Sequence, residues 1–317
     1  NKSTLDPFLD EKKEDIERLK NIQLDLHKDF IDVVEKSRGS KLKKSEIELF
    51  SGEFWSGSKA KDLGLVDVCH KLAKDGWAVI EDAASPEFNE RLRNAIIDSV
   101  DGLDTVAASP AKAAGKNMNL REDSVFGEAA LNPKILAVAE FSVGRGFLFS
   151  QMTTSVKCQG AKGIALHCDN NWLPAPFPQH NMITTFCWAC DDFNKENGAT
   201  SVIPGTQILK RHPNEEESND LGGSVAIECS AGSIALWDGN IWHAAYDRDA
   251  PGARVVAHMS YSRLAMRPVE DYSNEADMLI ERHGGRMAQL LGKEDALFES
   301  EGFGYTQMIP TFNNAKR

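Results

Sequence analysis

The stretch Ile164-Ala165-Leu166-His167-Cys168-Asp169 reads as a short strand, and much of the chain after it reads the same way. Phe147–Val156, Met182–Ala189, Thr200–Ile203, Ser224–Cys229, Ser233–Trp237 and Arg254–Tyr261 are further short apolar or alternating runs, punctuated by Gly, Pro, Asn and Asp. Many short strands separated by turn signals fit a sandwich or small barrel, and a double-sheet jelly roll accommodates them. The expected class is therefore mainly β with flanking helices.

Upstream, Gly76–Ile80 reads as an additional strand, following the end of a short helix at His70–Lys74. Ser85-Pro86-Glu87 starts a helix, with Ser as cap and Pro at the first position, running to about Val100. Residues 104–124, rich in Ala, Ser and Lys, read as loop. Asn132-Pro133 opens a helix to Phe141, and Glu275–Leu291 reads as a helical tail. Residues 1–68 differ: they are charged and helical, with apolar positions Ile16, Leu19, Ile22, Leu26, Phe30 and Val33 at helical spacing over Asp15–Val34, and shorter helices at Ser45–Phe50 and Ser58–Leu63.

The formal net charge of −12 repels phosphate backbones, and Lys41, Lys43 and Lys44 form too small a basic cluster to offset it, so no nucleic-acid partner is expected. No apolar run is long enough to cross a bilayer, and the charged first twenty residues do not read as a signal peptide. Six irregularly spaced cysteines do not make a disulfide scaffold, so the expected setting is reducing and cytoplasmic. Cys187 and Cys190 form a C-x-x-C, but on a strand positions three apart face opposite ways, which favours neither a disulfide nor a shared metal.

His167 and Asp169, two apart on a strand, project from one face. Far downstream come His243 and, eleven positions later, Arg254. Two His and one carboxylate on one face of an octahedral iron leave three positions open, the arrangement of non-haem Fe(II) oxygenases. A bidentate 2-oxo acid and O₂ fill those positions, and a cation such as Arg254, with its planar fork, suits the far carboxylate of such a cosubstrate.

The intervening motifs carry a resemblance. Asn197-Gly198-Ala199-Thr200, Val202-Ile203-Pro204-Gly205-Thr206 and Gly232-Ser233-Ile234-Ala235-Leu236-Trp237-Asp238-Gly239, leading to His243, resemble the phytanoyl-CoA dioxygenase family. Lys74-Asp75-Gly76-Trp77-Ala78-Val79-Ile80 matches its usual opening strand, so the resemblance covers about residues 70–317. It implies a double-stranded β-helix, Fe(II) held by His167, Asp169 and His243, and 2-oxoglutarate held by Arg254, with a loosely aligned hydroxyl near Thr185 assisting. It also implies oxidative decarboxylation of 2-oxoglutarate to succinate and CO₂, coupled to hydroxylation of a small organic substrate. Many relatives carry Ser two residues after the distal His, where this chain has Ala245.

Residues 1–68 are similar to the C-terminal part of S49-family signal peptide peptidases, through Asn1-Lys2-Ser3-Thr4-Leu5-Asp6-Pro7-Phe8, Phe30–Val34, Arg38-Gly39 and Phe50–Gly57 through Gly64–Asp67. Lys2 takes the place of that family's general base, but the nucleophilic Ser lies upstream of it, so no peptidase activity is expected of this segment. A plain helical extension is the alternative. For the whole chain the competing readings are a peptidase remnant and a metal-free jelly-roll binding protein.

Other candidates have simpler readings. His258 shares strand parity with Arg254 and is expected to be a packed histidine. His180 and His212 are expected at the surface, Trp172 at the substrate mouth or anchoring its Pro-rich loop, and Arg211 as a solvated charge or an anion contact.

Overall fold

The computed structural model describes residues 67–293. The chain divides at His70/Lys71 into two units. Lys2 and the expected helices at 15–34, 45–50 and 58–63 lie outside the described residues, as does the basic cluster at 41–44.

Ten strands carry the fold: β1 (Trp77–Ile80), β2 (Ala113–Lys116), β3 (Leu148–Cys158), β4 (Ile164–His167), β5 (Ile183–Ala189), β6 (Thr200–Val202), β7 (Val225–Ala226), β8 (Ser233–Asp238), β9 (His243–Ala245) and β10 (Ala253–Ser262). They form a six-stranded sheet in the order β1-β8-β5-β10-β3-β2 and a four-stranded sheet in the order β4-β9-β6-β7. Every pairing is antiparallel. Cys187, Ala189, Ala235 and Val256 from the larger sheet bury against Val202 from the smaller, with Phe193 and Ile227 between them. The sheets thus close face to face as a double-stranded β-helix, mainly β with helices outside.

Described helices are α1 (Asp67–Asp75), α2 (Pro86–Ser99), α3 (Leu103–Ala108), α4 (Ser124–Ala130), α5 (Pro133–Val143), α6 (Glu215–Ser218), α7 (Ala276–His283) and α8 (Met287–Leu290). The expected cap holds for α2: Ser85 Oγ accepts from Phe88 N at 3.2 Å, with Pro at the helix start. Side chains of the larger sheet that alternate away from the interior meet the helices. Phe88 of α2 lies 5.5 Å from the Trp188 ring, and Tyr261 Oη donates to Ala130 O in α4 at 2.6 Å.

Three expectations fail. Residues 104–124 are not a loop: α3, β2 and a 3₁₀ turn at Asn119–Arg121 fill them, because β2 pairs with the exposed flank of β3. Local composition gives no sign of that tertiary pairing. The tail is not one helix: α7 and α8 are separated at Gly284-Gly285, both at positive φ. The 224–229 strand shortens to Val225–Ala226, with Cys229 making only an isolated bridge to Phe193.

Candidate metal centre

β4 ends at His167, and its partner β9 begins at His243, directly opposite. Antiparallel partners share a face, so the rings come together, with centroids 4.2 Å apart. Asp169 lies just beyond β4, held by its N–H donating to Gly239 O at 2.9 Å. Its Oδ1 is 3.4 Å from His243 Nε2. One ligand atom from each of His167, Asp169 and His243 falls within 4.8 Å of the others. The H-x-D spacing placed His167 and Asp169 on one face and the family resemblance added His243, whereas the short strand β9 that presents His243 was not foreseen.

The tautomers suit a metal. His167 Nδ1 lies 2.8 Å from Ala165 O, and His243 Nδ1 3.2 Å from Ile241 O. A ring nitrogen beside a carbonyl carries the proton, which leaves each Nε2 lone pair aimed at the shared space. Burial and the neighbouring His243 lower the pKa of His167, favouring its neutral ligand form. Burial opposes the charge on Asp169, but His243 and the Thr185 hydroxyl outweigh it and hold the carboxyl well below the ordinary range. For His243, burial is outweighed by Asp169, and the pKa rises. Binding a divalent cation between them would displace that proton. The donor set, two neutral imidazole nitrogens and one ionised carboxylate, fits Fe(II).

Sequence reasoning missed Trp237, which bonds Asp169, and Ser260, which lies beside Thr185. Trp237 Nε1 donates to Asp169 Oδ2 at 2.9 Å, and Thr185 Oγ1 donates to the same oxygen at 2.7 Å. Ser260 Oγ lies 3.0 Å from the Thr185 hydroxyl. Thr185 pairs with both Trp237 and Ser260 across the sheet. Strand parity was the available signal for Trp237 and Ser260. Thr185 was expected to assist Arg254, but its cross-strand partner lies six residues further along β10, roughly 20 Å of strand. Its hydroxyl serves Asp169 instead.

Arg254 sits near the start of β10, 2% exposed. One Nη donates to Gly198 O at 2.6 Å, while Nε is buried without a partner. Burial depresses its pKa to about 10, so it stays charged. A buried guanidinium with an unsatisfied N–H fits a carboxylate ligand. His258, on the same face, stacks edge-on at 6.0 Å against Trp237, and burial next to Arg254 lowers its pKa to about 3.

The remaining candidates fall elsewhere. Arg211 makes a two-pronged ion pair with Glu217 at 2.7 and 2.8 Å and covers the Trp242 ring at 4.7 Å, while its side chain stays 41% exposed, so it is a partly solvated charge held in an ion pair. His212, expected at the surface, is half-buried: its ring lies 3.2 Å from both Cys168 Sγ and Leu173 O. His180 and Trp172 are exposed. Cys187 and Cys190 are both buried free thiols, and burial raises the pKa of each.

Fold and centre together define a class: a double-stranded β-helix with a two-histidine, one-carboxylate face. The chain belongs to the phytanoyl-CoA dioxygenase family, whose model matches residues 72–256. That is a family of non-haem iron, 2-oxoglutarate-dependent oxidoreductases. Dioxygenase af480 of Aspergillus fumigatus is 30% identical over 158 residues, 48% of this chain and 49% of that protein. A second match, to the Na(+)/H(+) antiporter NhaA of Brucella abortus, is 57% identical over 67 residues but spans 21% of this chain and 9% of that protein. The chain thus spans half or less of these curated relatives. HygX from Streptomyces hygroscopicus, crystallised with nickel, 2-oxoglutarate and hygromycin B, shares the fold at a TM-score of 0.54 and 14% identity, covering 63% of this chain and 88% of HygX.

Proposed function

We propose that this protein is a dioxygenase that hydroxylates a small organic substrate, using Fe(II), 2-oxoglutarate and O₂ and releasing succinate and CO₂. The observation that carries the reading is the convergence of His167, Asp169 and His243, with both Nδ1 atoms at backbone carbonyls and a buried Arg254 on the same barrel. Bound iron would supply the oxidising chemistry, coupling O₂ activation to cosubstrate decarboxylation. The chain's own residues do the rest. Ala165 and Ile241 carbonyls orient the imidazoles; Thr185 and Trp237 fix Asp169; Arg254 receives the far carboxylate of 2-oxoglutarate.

A reducing, cytoplasmic setting belongs to this reading, since Cys158, Cys168, Cys187, Cys190 and Cys229 are free thiols. No helix among the described residues is long and apolar enough to cross a membrane.

The test is succinate release in the presence of Fe(II), 2-oxoglutarate and O₂ across a panel of small organic substrates. His167→Ala is expected to abolish iron-dependent succinate formation; undiminished turnover would overturn the assignment. Arg254→Ala is expected to raise the 2-oxoglutarate requirement at least tenfold while metal affinity holds, since charged hydrogen bonds contribute about 1.5–3 kcal/mol. Equal loss of both would make Arg254 structural. Failure of the protein to bind any divalent metal would favour the metal-free binding-protein alternative.

A further inference from the structure

Lys157 is a buried cation that the centre described above does not use. It lies on β3 directly opposite Arg254 on β10. Facing residues of an antiparallel pair share a face, with Cβ atoms about 5 Å apart. Lys157 is 6% exposed and Arg254 2%. Two like charges are thus buried side by side, and among the described residues no carboxylate forms an ion pair with either. Such a pair is costly unless an anion joins it.

Both cations converge on one place. Lys157 Nζ donates to Lys162 O at 3.0 Å, and the next residue, Gly163, lies so close to β9 that a Cβ there would sit 2.0 Å from Ala245 O. Arg254 donates to Gly198 O, two residues before Thr200, which pairs with Ala245 from the other side. The two side chains therefore approach the barrel floor beneath Ala245, which shares the inward face of β9 with His243 and offers no hydroxyl there. Lys157 has two further ammonium hydrogens beyond the bond to Lys162, and Arg254 has the orphaned Nε–H.

We propose that Lys157 is a second binding residue, beside Arg254, for the carboxylate of 2-oxoglutarate that lies far from the metal. This rests on the 2-oxoglutarate reading above. It adds that the protein selects dicarboxylic 2-oxo acids with two cations rather than one.

The groups facing Lys157 are Arg254 and His258 from β10 and Asp247 from the β9–β10 connection. Asp247 is engaged by Lys162 Nζ at 2.7 Å and Gly163 N at 2.7 Å. Burial and Arg254 push the Lys157 pKa down to about 8, with Asp247 opposing. Its charge, and hence its hold on a carboxylate, is present at neutral pH and fades as pH rises through 8.

The experiment is calorimetric titration of the full-length, Mn(II)-loaded protein with 2-oxoglutarate and with 2-oxobutyrate, which lacks the second carboxylate. Lys157→Met is expected to weaken 2-oxoglutarate binding about tenfold or more, with 2-oxobutyrate and Mn(II) affinities unchanged. Lys157→Arg is expected to recover most of the loss. In the wild type, 2-oxoglutarate affinity is expected to fall between pH 7 and 9.5, and Lys157→Met to remove that dependence. Wild-type affinity in Lys157→Met, or equal loss of both acids, overturns the proposal. If Lys157→Met does not fold, a flat wild-type pH profile together with weak binding in Lys157→Arg overturns it. Absence of any 2-oxoglutarate binding to wild-type protein that binds Mn(II) sinks the cosubstrate reading itself, a result separate from the others.

Discussion

Asp169 Oδ2 accepts hydrogen bonds from both Trp237 and Thr185, while Oδ1 faces His243. A carboxylate engaged this way has one oxygen left for a metal, and its orientation is fixed before any metal arrives. Trp237 also packs its ring 5.2 Å from His243 and 6.0 Å from His258, so one side chain bonds one ligand and packs against another. Removing such an outer partner of a ligand typically costs 10–100-fold in metal affinity. Trp237→Phe keeps most of the packing and deletes the N–H. Its Fe(II) or Mn(II) affinity is expected to fall by about tenfold or more, with far-ultraviolet circular dichroism unchanged. Metal titration of the two proteins checks this, and equal affinities would make the Trp237 bond incidental. Thr185→Val is expected to act in the same direction, since its hydroxyl serves the same oxygen.

At the scale of elements, the centre depends on β4 and β9 lying flush, because each contributes one histidine at a facing position. The register between them is irregular from Ile164 to His167, and the close contact that sets their spacing is Gly163 against the Ala245 carbonyl. A methyl at 2.0 Å from that oxygen must push the strands apart. Gly163→Ala is therefore expected to destabilise the protein by about 1–3 kcal/mol, the usual cost of overpacking, and to weaken metal binding although no ligand is changed. Chemical denaturation with metal titration in parallel tests it; an unaltered midpoint would show that β4 is free to shift. The strands and the ligand spacing were legible because period-2 alternation and H-x-D parity are local properties of the sequence. β9 was not, since its three residues are too few to show a period. β2 was not either, since Ala113-Ala114-Gly115-Lys116 has no strand propensity and forms only because β3 offers it an edge. Thr185 was expected to assist Arg254, and its hydroxyl serves Asp169 instead; a side chain's partner depends on which strands are neighbours, and one sequence does not state that. Lys157 escaped notice for the same reason: its significance lies in facing Arg254 across a sheet, at a sequence separation that no local pattern spans.

For the molecule as a whole, the buried titratable groups set how stability depends on pH. His258 is pushed down to about 3 by burial and Arg254. Between pH 6.5 and 3 the unfolded chain takes up a proton that the folded protein refuses, so stability falls as pH drops through that window. Asp169 is held below the ordinary carboxyl range, so its contribution is present above pH 4 and is likewise lost toward acid. Asp238 acts oppositely: burial raises it to about 6, so its contribution is present below pH 4 and is lost as pH rises through 6. From pH 6.5 to 4.5 His258 and Asp238 therefore oppose one another, while the Asp169 share is withdrawn only below about pH 4. The His258 share is on the order of 1 kcal/mol per pH unit, which corresponds to roughly 2–4 °C in Tm for a domain of this size. His258→Gln keeps a polar side chain and removes the titration. With metal stripped by chelator, so that the ligands titrate alike in both proteins, the Tm of the variant is expected to fall less steeply from pH 6.5 to 4.5 than that of the wild type. Parallel slopes would mean that His258 is protonated in the folded protein.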